Sequence, residues 1–277
     1  MSDNWDDIAG WWVDLVRDDP TQSTDTFALL AELVGDSAGL TLDLGCGEGQ
    51  GMRLLGGPVI GTDLSFDLLA RAASAGPVVR ARLPDLSWIR PGSIDRAVAV
   101  GIFDVLEDHV GLFSNVARVV RRGGHLVTVM NHAVATSPGS EPLLDPDGEA
   151  LWRWGSYLAA GSSPQPAGDR NVDLVHRPIG ELLTAAAETG WRLERMIERG
   201  PSPEAIERLP GFHGQAHIPS LMGLRWSRES TPVESRTANG SSATRRRQSR
   251  SGLWSAGSSG TGGSTNSSVR HDGRRSR

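Results

Sequence analysis

The feature that most constrains this chain is "TLDLGCGEGQ" at residues 41–50, an apolar run ending in three glycines at alternate positions, Gly45, Gly47 and Gly49. Only glycine combines a sharp turn with close approach of the backbone to a ligand, so a short buried strand leading through G-x-G into a helix sets bare amide groups against a bound molecule. The rest of the chain agrees with such a frame. Apolar runs at "VIGTDL", "IDRAVAVG" and "HLVTVMN" alternate with helical patterns at "SFDLLARAASA", "HVGLFSNVARVVRRGG" and "PIGELLTAAAETG". Fully apolar strands separated by helices imply a parallel sheet covered on both faces, the doubly wound α/β class. The spacing predicts one helix from His109 to Arg122, with Val110, Phe113, Val116, Ala117 and Val120 inward and Gly123 and Gly124 as its stop.

Composition removes several chemistries. All 28 basic residues are arginine, so the chain has no amine for a Schiff base and no lysine for a G-x-x-x-x-G-K-[ST] phosphate loop. Cys46 is the sole cysteine, which excludes an intrachain disulfide and a multi-cysteine zinc site; no metal is expected, and a reducing compartment suits the chain. The acidic start "MSDNWDDIAGWW" is unlike a secretory signal, and no apolar stretch approaches the roughly 20 residues of a membrane span. A soluble, cytoplasmic protein is the expectation. From residue 228 the chain is mostly Ser, Gly, Thr and Arg, a composition expected to stay disordered, with ten arginines against three acids. That leaves −12 on residues 1–227, which speaks against a nucleic-acid substrate; the tail reads as a solvated appendage or as a basic tether.

Two acids narrow the ligand. Asp43, two residues before Gly45, repels a pyrophosphate but holds an ammonium group. The dinucleotide fingerprint G-x-G-x-x-G/A also needs a small residue where Gln50 stands, so a nicotinamide oxidoreductase is disfavoured. Asp63 closes the next strand, where an acid accepts hydrogen bonds from ribose hydroxyls. A nucleoside bearing a cationic amino acid meets both demands, and S-adenosylmethionine is such a molecule.

At these residues the chain resembles the class I S-adenosylmethionine-dependent methyltransferases, especially the small-molecule branch that includes quinone-ring methyltransferases. "LDLGCGEG" is similar to that family's first motif, "VIGTDLS" to its second, and "VARVVRRGG" to its R-V-L-R-P-G-G segment, with Arg122 in the place of the commoner proline. The resemblance is close over residues 38–132 and looser to Trp226. It implies a Rossmann-like seven-stranded sheet with the last strand antiparallel. It also implies that Asp43, Gly45, Cys46, Gly47 and Gly49 surround the methionine end of the cofactor, that Asp63 holds the ribose and that Leu64 lies against adenine. Arg82 and Leu83 are placed beside adenine, although the acidic segment usual there is missing, and Gly101, Ile102 and Phe103 pass the sulfonium. "WDDIAGWW" is similar to the branch's aromatic-D-x-x-A-x-x-aromatic helix, with Trp5 and Trp12 in the aromatic places. The expected layout is a helical cap over 1–37, a methyltransferase domain over 38–227 with a lid-like insertion at 136–177, and the tail over 228–277.

Methyl transfer from a sulfonium needs an in-line nucleophile and exclusion of water, and a base helps when the acceptor is a hydroxyl or a protonated amine. His132, after the fifth strand, is the best placed of three candidate bases, ahead of His109 and His176, and each of the three reads more readily as a helix cap, a surface group or a satisfied polar contact. His176 with Trp152, Trp154 and Tyr157 of the insertion, together with Trp5 and Trp12, forms the expected substrate surface; the insertion's aromatics serve as well as a small satellite core. The expected partner is a small-molecule methyl acceptor with oxygen, nitrogen or carbon as the receiving atom, and the oligomeric state is not legible. A catalytically silent S-adenosylmethionine-binding sensor is the alternative.

Overall fold

A computed structural model describes residues 5–19, 21–36, 39–167 and 170–229. The expected tail lies outside the described residues, apart from Arg228 and Glu229. The chain begins with α1 (Trp5–Asp18), one π-helical turn at Thr21–Thr26 and α2 (Phe27–Val34). There follow β1 (Thr41–Leu44), α3 (Gln50–Leu55), β2 (Val59–Asp63), α4 (Phe66–Ala72), β3 (Val78–Arg80), β4 (Ile94–Val100), α5 (His109–Val119) and β5 (Val120–Asn131). After the short α6 (Ala133–Thr136) come β6 (Glu141–Leu144), β7 (Ala150–Arg153), β8 (Gly161–Ala167) and β9 (Arg170–His176). The chain closes with α7 (Ile179–Glu188), β10 (Trp191–Arg199), α8 (Pro203–Arg208) and β11 (Leu221–Arg228).

Seven strands form one sheet in the order β10-β11-β5-β4-β1-β2-β3. Neighbours from β5 to β3 are parallel, and β11 runs antiparallel to both β5 and β10, as expected. The two-residue strand period divides the core. Ala97, Ala99 and Leu126 face α5 and α7 through Leu112, Phe113, Val116, Leu182 and Ala186. Val98, Val127 and Val129 face the opposite way, onto Leu29, Leu30 and Leu33 of α2. Thus α2 is a covering layer of the sheet rather than part of a separate cap. It lies so close to β11 that a Cβ on Gly223 would come within 2.5 Å of Leu33 Cδ1. Two arginines from the strands below close its carboxyl end, where cations are favoured: Arg225 donates to the carbonyls of Leu33 and Val34 at 2.8 and 2.9 Å, and Arg96 to that of Gly35 at 3.0 Å.

Two expectations change. The helix expected to reach Arg122 ends at Val119, and Val120–Asn131 is extended, with an irregularity where β4 and β5 pair between Ile94 and Arg96. Arg118 in the last helical turn donates to the carbonyls of Ile89 and Leu86, which fixes that turn, while the β-branched pair Val119-Val120 and the two glycines suit an extended exit. Val110 is 47% exposed, and Leu112 takes the inward place instead. The insertion at 136–177 is not a bare loop but two antiparallel hairpins, β6-β7 and β8-β9. The first turns at Asp145, whose carboxylate accepts from the N–H groups of Asp147 and Glu149; Asp147-Gly148 is a hairpin signal. In the second hairpin, Pro164 and Pro166 conceal the strand pattern in the sequence.

Candidate active site

At the carboxyl end of β1 the chain turns through Gly45, Gly47 and Gly49 with φ of 66°, 53° and 92°, the left-handed region that favours glycine. The turn is pinned from β2: Cys46 N–H donates to the Thr62 carbonyl at 3.0 Å and Gly47 N–H to Asp63 Oδ2 at 2.9 Å. Space is as tight as the backbone angle, since a Cβ on Gly45 would stand 1.9 Å from Ile102 Cδ1. Gly49 serves packing, its bare α-carbon allowing Ala72 of α4 to approach.

Two cavities adjoin this turn. The larger, about 260 Å³, begins at Gly45, Gly47, Asp63 and Leu64 and extends past Leu83, Gly101 and Ile102 to Trp5 and Trp12. The smaller, about 60 Å³, lies at Asp43, Cys46 and Gly51 and shares Gly45, Gly47 and Trp12 with the first.

Asp43 is 3% exposed and its Oδ2 has no hydrogen-bond partner. Burial, reinforced by the nearby Asp63 carboxylate, pushes its carboxyl up to about 7. A buried, unpartnered carboxyl oxygen beside an open cradle matches an ammonium ligand. Asp63 accepts from Gly47 N–H through one oxygen and from Ser65 N–H through the other, each at 2.9 Å, so its carboxyl is held in one orientation at the cavity wall. These residues fit S-adenosylmethionine on the sites expected for its amino-acid end and its ribose. Cys46 is no nucleophile: burial drives its thiol well above the ordinary range, and its sulfur packs toward Gly61 and Met52.

Other expected residues are placed elsewhere. Arg82 is exposed and is not among the residues lining the cavity, although its neighbours Ala81 and Leu83 are. Phe103 is core, 3% exposed, with its ring 4.9 Å from that of Phe113. His132 is not a base at this site. It caps α6, its Nδ1 accepting from Val134 N–H at 3.1 Å, and its Nε2 meets Glu198 at 2.7 Å, so both nitrogens are engaged away from the cavities. His176 is fully buried between Thr136 Oγ1 and the Tyr157 carbonyl. His109 lies against Glu107 and Glu181 at the start of α5. Trp152, Trp154 and Tyr157 line neither cavity; Trp154 is 58% exposed and stacks edge-on against Tyr157.

Residues that sequence reasoning missed take their places. Trp11 joins Trp5 and Trp12 in the wall, Asp104 comes from the turn after β4, and Met130 and Asn131 from the end of β5. The insertion contributes Val172 and Leu174 of β9 rather than its aromatics. The 3.6-residue period does hold Ile8 and Ala9 inward, but it does not distinguish Trp11 from Trp12 at the rim of that face. Asp6 is another omission. It accepts from Ser65 Oγ at 2.6 Å and pairs with Arg80 at 3.2 Å, which fastens α1 beside Asp63.

Comparison with known proteins agrees with this geometry. Residues 42–128 match the protein family described as "Methyltransferase domain". A trans-aconitate 2-methyltransferase of Azoarcus sp. (strain BH72) is 34% identical over 155 residues, 53% of this chain and 59% of that protein. Another, from Rhizobium meliloti (strain 1021), is 33% identical over 108 residues, 37% of this chain and 42% of that protein. The chain therefore spans between two and three fifths of the length of these curated relatives. The crystal structure of an S-adenosylmethionine-dependent methyltransferase from Mesorhizobium loti superposes with a TM-score of 0.64 at 28% identity, covering 77% of this chain and all of that one. Sheet order and glycine cradle are thus shared with the fold of an S-adenosylmethionine-dependent methyltransferase, and residues 42–128 are similar to a methyltransferase domain.

Proposed function

We propose that this protein methylates a small molecule bound in the far half of the larger cavity, under α1 and β9. The observation that carries the reading is continuity: one cavity of about 260 Å³ has the cofactor cradle at Gly45, Gly47 and Asp63 and the apolar walls of Trp5, Trp11, Met130 and Val172. When bound, S-adenosylmethionine supplies a methyl group on a positively charged sulfur that leaves as a neutral thioether. The chain's own residues do the rest. Asp43 would hold the ammonium, Asp63 the ribose hydroxyls, and Leu64 and Leu83 the adenine, with Gly101 and Ile102 in the cavity wall beside them. The tryptophans of α1 exclude water and hold the acceptor in line, the two conditions that such a displacement requires.

An aromatic-walled cavity suits a ring acceptor, which supports the quinone-ring branch as the nearer kin in chemistry. Trans-aconitate, which names the relatives, is a polyanion, whereas the described residues that line this cavity include Asp63 and Asp104 and no arginine or histidine. Such a lining repels a polycarboxylate acceptor. Among the described residues no helix is long and apolar enough to cross a membrane. With a single buried thiol, we place the protein in the cytoplasm. The test is a thermal melt with S-adenosylhomocysteine and with NAD, followed by transfer of labelled methyl to a panel of small hydroxylated and amino aromatics. Stabilisation by the former alone, with labelled product, is expected; stabilisation by NAD, or cofactor binding with no product across the panel, contradicts the reading.

A further inference from the structure

The acceptor half of the cavity holds one carboxyl group that the cofactor does not need. Asp104 lies on the turn after β4, 6% exposed, among the residues that line the cavity with Trp5, Trp11 and Leu174. Its position is fixed from two sides. Its Oδ2 accepts from Asn131 N–H at 3.2 Å at the end of β5, and its carbonyl accepts from Val175 N–H at 2.7 Å in β9. Arg177 lies behind it and donates to the carbonyls of Phe103, Leu106 and Glu107, so this cation is directed into the loop rather than into the cavity. Burial pushes the Asp104 carboxyl up to about 7, opposed in part by the Asn131 N–H and the Arg177 charge. A group with that affinity is matched to receive a proton near neutrality.

We propose that Asp104 hydrogen-bonds the acceptor's reacting hydroxyl and receives its proton, so that the cavity selects an apolar ring bearing a hydroxyl and turns away a carboxylate. This rests on the methyltransferase reading above. As the acceptor oxygen bonds to the methyl carbon, the carbon–sulfur bond breaks with its electron pair kept on sulfur. The hydroxyl proton passes to the Asp104 carboxylate and leaves to solvent on product release. Selection follows from the same charge. An anionic ring placed beside Asp104, with Asp63 in the same low-dielectric cavity, is repelled, while a neutral hydroxyl donates to the carboxylate.

Two rings of equal size and different charge test this, 2-naphthol and 2-naphthoate, each titrated calorimetrically into the full-length protein saturated with S-adenosylhomocysteine. At about pH 8, above the ordinary carboxylate range, 2-naphthol should bind at least roughly tenfold more tightly than 2-naphthoate. Asp104→Asn, which keeps the shape and an acceptor oxygen, should weaken 2-naphthol by about tenfold and tighten 2-naphthoate. The affinity of the wild type for 2-naphthol should fall on acidification through about 7, and that of the variant should not. Arg177, Asp63 and, around Arg177, Glu107, Asp108, Glu181 and His109 are charged or titratable groups nearby, and all are common to both proteins. Equal affinity for the two rings in the wild type overturns the proposal, as does failure of both to bind or an unchanged pattern in the variant. The wild-type comparison stands even if the variant does not fold. Absence of S-adenosylhomocysteine binding instead refutes the methyltransferase reading beneath it.

Discussion

Asp43 shows what a single residue gives up for a ligand. Its carboxyl is buried, one oxygen has no partner, and burial with the neighbouring Asp63 raises it to about 7. A raised carboxyl means that, between the ordinary carboxylate range and about 7, the folded chain holds a proton that the unfolded chain has released. Stability contributed by this group is therefore greatest on the acid side of that window, declines as the pH rises through it and is level above. An ammonium ligand reverses the sign by favouring the carboxylate. Asp43→Asn should thus stabilise the ligand-free protein at about pH 8 by roughly 2 to 4 kcal/mol and flatten the fall of its melting temperature between pH 5 and 7. The same variant should lose most of its affinity for S-adenosylhomocysteine. Melting curves across that range, with and without the ligand, check both halves; a variant that melts lower than the wild type at the alkaline end contradicts the electrostatic account.

At the scale of elements, α1 is the part that the site borrows from outside the sheet. Ile8, Ala9 and Val13 are buried on its inner face, and a charged fastening runs from Asp6 to Ser65 Oγ and Arg80. The Asp6 carboxyl is 40% exposed, so its pairing with Arg80 contributes under about 1 kcal/mol. Asp6→Ala should accordingly leave the global melting temperature within about 2 °C of the wild type. It should also speed amide exchange across Trp5–Asp18 by at least roughly tenfold and raise the KM for the acceptor, because α1 carries three of the ring walls. Exchange mass spectrometry reads the first effect directly, and unchanged protection of α1 refutes the fastening. Elements that advertise themselves by period were legible in the sequence, α4, α7 and the central strands among them. Those built against their local pattern were not: β8 carries two prolines, and β5 starts within what reads as the end of a helix.

Across the whole molecule, legibility follows chain distance. The cofactor half of the site is assembled from consecutive strand tips and the turns after them, so glycine spacing and the acids of β1 and β2 are local signals. The acceptor half gathers α1, the end of β5 and β9, and which residues of those segments face one cavity depends on tertiary packing. That is why His132, well placed in the sequence, turns out to be held by Val134 and Glu198, while Asp104, inconspicuous within "GIFDVLEDH", reaches the cavity. Trp152 and Trp154 follow the same rule from the other side, since their hairpin folds clear of the cavity to which β9 contributes.

The measurement that bears most directly on the central claim is a calorimetric titration of the folded full-length protein, and of its Asp63→Ala variant, with S-adenosylhomocysteine. The cradle predicts saturable binding to the wild type at one site per chain and at least a roughly tenfold loss in the variant, as expected for a charged hydrogen-bond acceptor removed from a buried contact. No binding heat from the folded wild type, or undiminished affinity in the variant, would contradict it.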